Sequence, residues 1–293
     1  MTPQRPVVAG VDGSSPSLTA ADLAADEASA RDLPLELVHG YAPYLARPVG
    51  VPPDLPPVGP DALAEALHAR AEEVLHDAAT RIRQAHPQLP VITRLRDGTA
   101  AQVLTAASGQ ASLLVVGNRG TGGFTELLTG SVGIQLASHA RCPVMIVRGK
   151  PSRDAPVVVG VDGSDGARRA ARFAAEAADR YGTTLIALFA WPRDPAWSPE
   201  LIQAGYPPPE VPEEVTQTLS ELTAAYPQVD VRPQVDRERP AHEALIAASE
   251  QARLVVAGAR GLGGFEGLLL GSVSQALIHH ARCPVAVIGP EAG

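Results

Sequence analysis

The chain opens on an apolar run at 6–11 (PVVAGV), as expected of a strand buried on both faces. Ser14 and Ser15 then precede Pro16, and the Ala, Leu and Glu that follow predict a helix over 16–32. The same alternation continues through a strand at 35–39 (LELVH), a Pro-rich stretch at 41–60 and a helix at 61–86. It goes on with a strand at 90–95, a helix at 100–109 and a strand at 112–117, then Gly-rich 117–130, a helix at 131–140 and a strand at 143–148. Strands alternating with helices predict a parallel, doubly wound α/β sheet with helices on both faces.

The pattern is written twice. VVAGVDGS at 7–14 returns as VVVGVDGS at 157–164, an offset of 150. LLVVGNRGTGGF at 113–124 returns as LVVAGARGLGGF at 254–265, and HARCPVMIV at 139–147 as HARCPVAVI at 280–288, both at an offset of 141. A unit this long is a duplicated domain, not a solenoid repeat. The expected division is 1–149 and 155–293 joined by a short polar linker at 150–154. The shrinking offset predicts that the second copy has lost nine residues between its second strand and Arg237, where 41–60 and 192–212 are Pro-rich.

Composition narrows the function. Apolar residues make up 45% and aromatics 4%, so the cores must be built from Val, Leu, Ile and Ala. A net charge of −8, with Lys150 the one lysine, argues against a nucleic-acid partner. Two cysteines, Cys142 and Cys283, are too few for a disulfide scaffold or metal cluster, and each precedes a proline in apolar company, as inert buried thiols do. The histidines show no metal-ligand spacing, so no metal site is expected. No apolar run precedes a cleavage site near residue 1 and none reaches 18 residues, so neither a signal peptide nor a membrane partner is expected, and the expected compartment is the cytoplasm.

Two segments in each copy follow strands that an open parallel sheet would place at a ligand site. Gly10-Val11-Asp12-Gly13-Ser14 returns as Gly160-Val161-Asp162-Gly163-Ser164. It reads either as an ordinary strand-to-helix turn or as a carboxylate that accepts hydrogen bonds from a ribose diol. Ser14 and Ser164 lack a histidine partner, so a hydrolase nucleophile is not expected. The second segment is Gly117-Asn118-Arg119-Gly120, nine residues, then Gly130-Ser131; its copy is Gly258-Ala259-Arg260-Gly261, nine residues, then Gly271-Ser272. Glycines after a strand let backbone N–H groups approach an anion, and a helix beginning at Ser131 or Ser272 adds free N–H groups and a positive dipole end. The serine hydroxyl can cap that helix or bond a phosphate oxygen. Arg119 and Arg260 could reach phosphate or lie in solvent. A Walker A loop is excluded because no lysine is present here, and a dinucleotide fingerprint because the first strand is followed by Asp-Gly-Ser.

Gly-x-x-Gly, nine residues, Gly-Ser after the fourth strand, with Val-Asp-Gly-Ser after the first, resembles the ATP-binding branch of the universal stress protein family. Both copies match, and the chain resembles the tandem two-domain type of high-GC bacteria. The resemblance implies two Rossmann-like domains of the adenine nucleotide alpha hydrolase-like kind, each a five-stranded parallel sheet of order 3-2-1-4-5. It implies ATP, two per chain, with Mg²⁺ as a companion of ATP. Carried over, the first lobe's contacts are Gly10, Asp12, Gly117, Asn118, Arg119, Gly120, Thr121, Gly122, Gly123, Gly130, Ser131 and Val132. The second lobe's are Gly160, Asp162, Gly258, Ala259, Arg260, Gly261, Leu262, Gly263, Gly264, Gly271, Ser272, Val273 and Ser274. Backbone at Gly40 and Ala190 would meet the adenine edge. The apolar last strands, PVMIVR and PVAVIG, invite edge-to-edge pairing of the lobes about a pseudo-two-fold, with a homodimer of whole chains left open. The expected function is an ATP-binding regulator in a stress or dormancy response, with no catalytic residues. The alternatives are a slow ATPase or adenylate-transferring enzyme on the same fold, and a nucleotide-free structural dimer.

Overall fold

A computed structural model describes residues 4–42, 60–120, 131–149, 152, 154–190, 212–262 and 269–291. The chain divides into two compact units, Met1–Val147 and Arg148–Gly293. In the first, β1 (Val7–Gly10), α1 (Ser15–Ala30), β2 (Leu35–Tyr41), α2 (Pro60–Ala85) and β3 (Val91–Asp97) are followed by α3 (Ala100–Ser108), β4 (Leu113–Gly117), α4 (Ser131–His139) and β5 (Val144–Val147). The sheet order is β3-β2-β1-β4-β5, all parallel. The second unit repeats it with β6 (Val157–Gly160), α5 (Asp165–Tyr181), β7 (Leu185–Ala190), α6 (Glu213–Ala225) and β8 (Val231–Asp236). There follow α7 (Ala241–Ala248), β9 (Leu254–Gly258), α8 (Ser272–His280) and β10 (Val285–Ile288), in the parallel order β8-β7-β6-β9-β10. Each unit thus has the expected order and class.

With few aromatics, the core rests on branched strand residues and on alanine. Val7, Ala9, Leu35, Leu37 and Leu113 are fully buried in the first unit, and Val157, Val159, Leu185, Val255 and Val256 in the second. The helices facing them bury Ala20, Ala24 and Ala28, and Ala170, Ala174 and Ala178. Small side chains let a helix lie close on its sheet, and that closeness shapes the site.

Ser14 caps α1, accepting from the Ser17 amide at 3.3 Å, and Ser164 caps α5, accepting from Ala167 at 3.1 Å. That settles the role of these two hydroxyls as helix caps. Before each cap sits a glycine in the left-handed region, Gly13 at φ +81 and Gly163 at φ +86, which bends strand into helix within a few residues.

The missing nine residues prove to be two changes. Leu35 pairs with Val91 but Leu185 pairs with Val231, a separation of 56 residues against 46. The second copy is therefore ten residues shorter there, and the helix after the Pro-rich segment shrinks from 26 residues to 13. One residue returns further on. Gly40 pairs with Arg96 and Ala190 with Asp236; α3 starts at Ala100, after three intervening residues, and α7 at Ala241, after four.

β3 and β8 lie at an edge of their sheets and expose most of their residues. β8 carries Pro233 opposite Ala187, and in β3 the first carbonyl, that of Val91, accepts from Arg83 at 3.0 Å.

Candidate functional site

β1 and β4 are neighbours, yet the chain leaves β1 toward β2 and leaves β4 toward β5. The crevice outside their carboxyl ends is the switch point where open α/β sheets bind ligands. β6 and β9 form the same crevice in the second unit. The first-strand turn is anchored alike in both: Val11 N donates to Val38 O at 3.0 Å, and Val161 N to Leu188 O at 3.0 Å.

The aspartates that follow are both turn-formers and cross-links. Asp12 Oδ1 accepts from Ser14 N at 3.0 Å and from Ser14 Oγ at 2.6 Å. Asp162 Oδ1 accepts from Ser164 N at 2.9 Å, and its other oxygen accepts from Leu262 N at 3.0 Å. Asp162 therefore ties the turn after β6 to the turn after β9, across 100 residues of chain. A Cβ on Gly120 would stand 2.5 Å from Asp12 Oδ2, and one on Gly261 would run into Asp162 Oδ2. The second glycine of each Gly-x-x-Gly is thus set by a carboxylate lying against it.

The first glycine has a cause besides the expected approach of an anion. Neither Gly117 nor Gly258 has a positive φ. A Cβ on Gly117 would lie 2.8 Å from the backbone C and O of Pro16, and one on Gly258 would lie 2.7 Å from Gly166 C. These glycines let the first turn of α1 and α5 rest on the end of the neighbouring strand. Replacing them attacks that packing before it attacks any phosphate contact.

The helix that follows begins at Ser131 and at Ser272, as expected, but in the second lobe the serine is not its cap. Gly271, not a serine, is the N-cap of α8, in extended backbone and with no side-chain cap bond. Gly271 N donates to Ala259 O at 2.8 Å, holding the helix start against the strand-end turn. Ser272 opens the helix as its first residue, and Ser274, 1% exposed, spends its hydroxyl proton on Gly258 O at 2.6 Å. The first turn of α8 thus carries backbone N–H groups that no side chain caps, where an anion would be favoured.

In the second unit these parts enclose a cavity of about 440 Å³. Its polar members are Asp162, Ser164, Arg260, Ser272 and Ser274, and its apolar wall is Val161, Leu188, Ala190, Ala241, Leu245 and Leu270. Gly160, Gly258, Gly261, Leu262, Gly271 and Val273 also line it. In the first unit the cavity is about 100 Å³, lined by Gly10, Asp12, Gly40, Gly117, Arg119, Gly120 and Val132 among the expected residues. Asn118 and Ser131 lie outside that lining, and Ala259 is buried away from its own cavity, donating to Ile288 O at 2.8 Å. Thr121, Gly122, Gly123, Gly130, Gly263 and Gly264 lie outside the described residues.

Sequence reasoning missed the apolar wall, which pairs Val38, Ala100 and Leu104 with Leu188, Ala241 and Leu245. Their signal was position alone: the end of the second strand and the start of the third helix. It also missed His39, whose Nδ1 donates to Val11 O at 2.7 Å at the rim of the first cavity. Burial pushes the Cys142 and Cys283 thiols up to about 12, so neither is a nucleophile at neutral pH. Among the described residues no group of His, Cys, Asp and Glu could hold a metal, and no helix is long and apolar enough to cross a membrane.

Two doubly wound α/β lobes, each with a Gly-x-x-Gly turn at its switch point, define a tandem Rossmann-like protein. The chain belongs to the universal stress protein family, whose model matches residues 4–148 and again 155–289. It is 37% identical to a universal stress protein of Mycolicibacterium smegmatis, over 97% of each chain. It is 35% identical to one of Mycobacterium tuberculosis, over 96% of this chain and 95% of the relative. Among solved structures, a universal stress protein of Archaeoglobus fulgidus aligns with a TM-score of 0.68 over 98% of each chain, at 20% identity, a likeness of fold.

Proposed function

We propose that each lobe binds an adenine nucleotide, ATP with Mg²⁺ as its companion, and that the protein is a cytoplasmic nucleotide-dependent regulator of a stress or dormancy response. The observation that carries this reading is the second lobe's cavity, whose 440 Å³ joins an apolar pocket to a backbone cradle. A base fits the apolar end, between the Ala190 strand end and Leu245. Asp162 supports a ribose: each of its oxygens accepts one backbone N–H and keeps lone-pair capacity for a hydroxyl. Phosphates fit the Gly258–Gly261 turn and the start of α8, where Arg260 adds a positive charge. ATP supplies the charge and the metal-binding phosphates; the chain's residues hold and orient them.

Regulation is favoured over turnover by what lines the cavity. Among the described residues its ionisable side chains are Asp162 and Arg260, and Asp162 is taken up by two backbone amides and the proposed ribose hydroxyl. A general base poised for in-line attack needs a carboxylate or imidazole free to take a proton. A ligand held this way acts by favouring one of two conformations.

Mass spectrometry of ligand released from purified protein should identify ATP, and titration of nucleotide-free protein should approach two equivalents. Nucleotide-free protein that takes up no ATP would leave the family's nucleotide-free structural role as the reading. Steady-state hydrolysis at about 10 per second, a typical enzymatic rate, would make the protein an ATPase.

A further inference from the structure

We infer that the two lobes are unequal nucleotide sites, with the second preformed and the first held shut by the turn that leads into α3. The inference rests on the nucleotide reading above and adds an order of filling.

Gly40 and Ala190 stand at the same place, the end of the second strand of each lobe, paired with Arg96 and Asp236. In the first lobe three residues then lead into α3. Gly98 takes φ +129, and the helix start is drawn over the strand end. A Cβ on Gly40 would lie 2.9 Å from Ala100 N and 3.0 Å from Gly98 O. Both are backbone atoms that cannot swing aside. A reciprocal cap fixes this arrangement: Gln102 N donates to Thr99 Oγ1 at 3.3 Å, and Thr99 N to Gln102 Oε1 at 3.0 Å.

In the second lobe the turn is one residue longer and wraps around a side chain instead. Asp236, 7% exposed, accepts from Glu238 N at 3.0 Å, Arg239 N at 2.9 Å and Arg239 Nε at 2.9 Å. The strand end beside it carries a methyl group, that of Ala190, at the cavity wall, and α7 begins behind Pro240 with no side-chain cap. The cavities differ in the same sense: the described residues line about 100 Å³ where the turn is short and about 440 Å³ where it is long. Ligand pockets run to about 300–1,000 Å³, a range that the second lobe's cavity meets and the first lobe's, among the described residues, does not.

The first lobe must lift the start of α3 from Gly40 before a base can enter. Its apparent affinity falls by the fraction of molecules already open. The second lobe therefore fills at low nucleotide, and the first only when nucleotide is plentiful. The chain reads two concentration ranges with one fold.

Calorimetric titration of the nucleotide-free full chain with ATP should give two steps separated by on the order of tenfold or more in Kd. Gly261→Ala, which pushes a Cβ against Asp162, should remove the tight step, and Gly120→Ala only the weak one. Replacing residues 96–99 by the sequence of 236–240 should tighten the weak step by on the order of tenfold. Deleting Glu238 should weaken the tight step, a second reading should the graft fail to fold. Two equal steps, or loss of the tight step in Gly120→Ala, would overturn the inequality and leave the nucleotide reading standing. Absence of heat from both lobes would overturn both.

Discussion

The two lobes make the same hydrogen bond after their first strands and differ by a factor of two in the helix that precedes the third strand. Val11 and Val161 make the same 3.0 Å bond to the next strand, while α2 has 26 residues and α6 has 13. The long α2 buries Ala71, Val74, Leu75, Ala78, Ala79 and Ile82; the short α6 buries Val215, Thr218 and Leu222. A helix covering outer strands needs only enough apolar area, and length can vary around that. The crevice between β1 and β4 has no such slack, because the Pro16 backbone lies against Gly117 and the Asp12 carboxylate against Gly120. The lobes are alike where distances are fixed by contact and unlike where only coverage matters.

The largest expected break of that likeness comes from its tightest contact. Gly117→Ala and Gly258→Ala should each destabilise their own lobe by about 1–3 kcal/mol, the usual cost of overpacking. Thermal melts with amide exchange read lobe by lobe would show it. A variant with an unchanged melt and reduced ATP binding would return these glycines to the phosphate.

Next come the carboxylates. Asp12→Ala and Asp162→Ala should weaken ATP binding in the affected lobe by about 1.5–3 kcal/mol, the range for hydrogen bonds to a charged group. The melt should fall as well, since Ser14 and Ser164 each lose a partner. Full ATP affinity in both variants would confine the aspartates to the turn.

Smaller effects separate the lobes further. Thr99→Ala removes one half of a capping box and should cost the first lobe about 1 kcal/mol. Pro240 at the matching place offers no side-chain cap, so Pro240→Ala should lack that particular loss. Comparing the two melts tests whether the short turn is the more strongly pinned.

The smallest effect is a difference in acid stability. The Arg239 and Glu238 amides, with the Arg239 guanidinium, hold the Asp236 carboxyl below the usual carboxylate range. A carboxyl with a depressed folded value contributes stability that is complete above its unfolded value, about 3.9, and is lost as pH falls through the folded one. The first lobe has Arg96 at that register and no such contribution. Lobe-resolved exchange below pH 4 should show the second lobe losing stability that Asp236→Asn has already lost at neutral pH.

Much of this could be read from the sequence because the strands are short apolar runs and the duplication supplies two copies of each. The parallel, doubly wound class follows from that alternation, while the strand order, and with it the meeting of the first and fourth strand ends, is implied by the family resemblance that the Gly-x-x-Gly pattern carries. The causes at single residues did not follow. Gly117 answers to Pro16, about a hundred residues earlier, in the first turn of a helix that buries alanines against its sheet. Ser272 yields the cap to Gly271 because the glycine amide bonds Ala259 O. The ten-residue loss and one-residue gain appear as a single nine in the offsets, and only strand register separates them.

Pro233 carries a consequence for crowding. An outermost strand with unpaired amides is a template on which another chain can extend the sheet. β8 has a proline in its interior, and that residue has no N–H to offer an incoming strand. Its counterpart in β3 is Thr93, which does have one. There the discouragement is charge, from Arg94 and Arg96, and the Arg83 guanidinium already seated on the Val91 carbonyl. At high concentration and high salt, where arginine repulsion is screened, the first lobe's outer strand is the face on which fibre-like growth would begin.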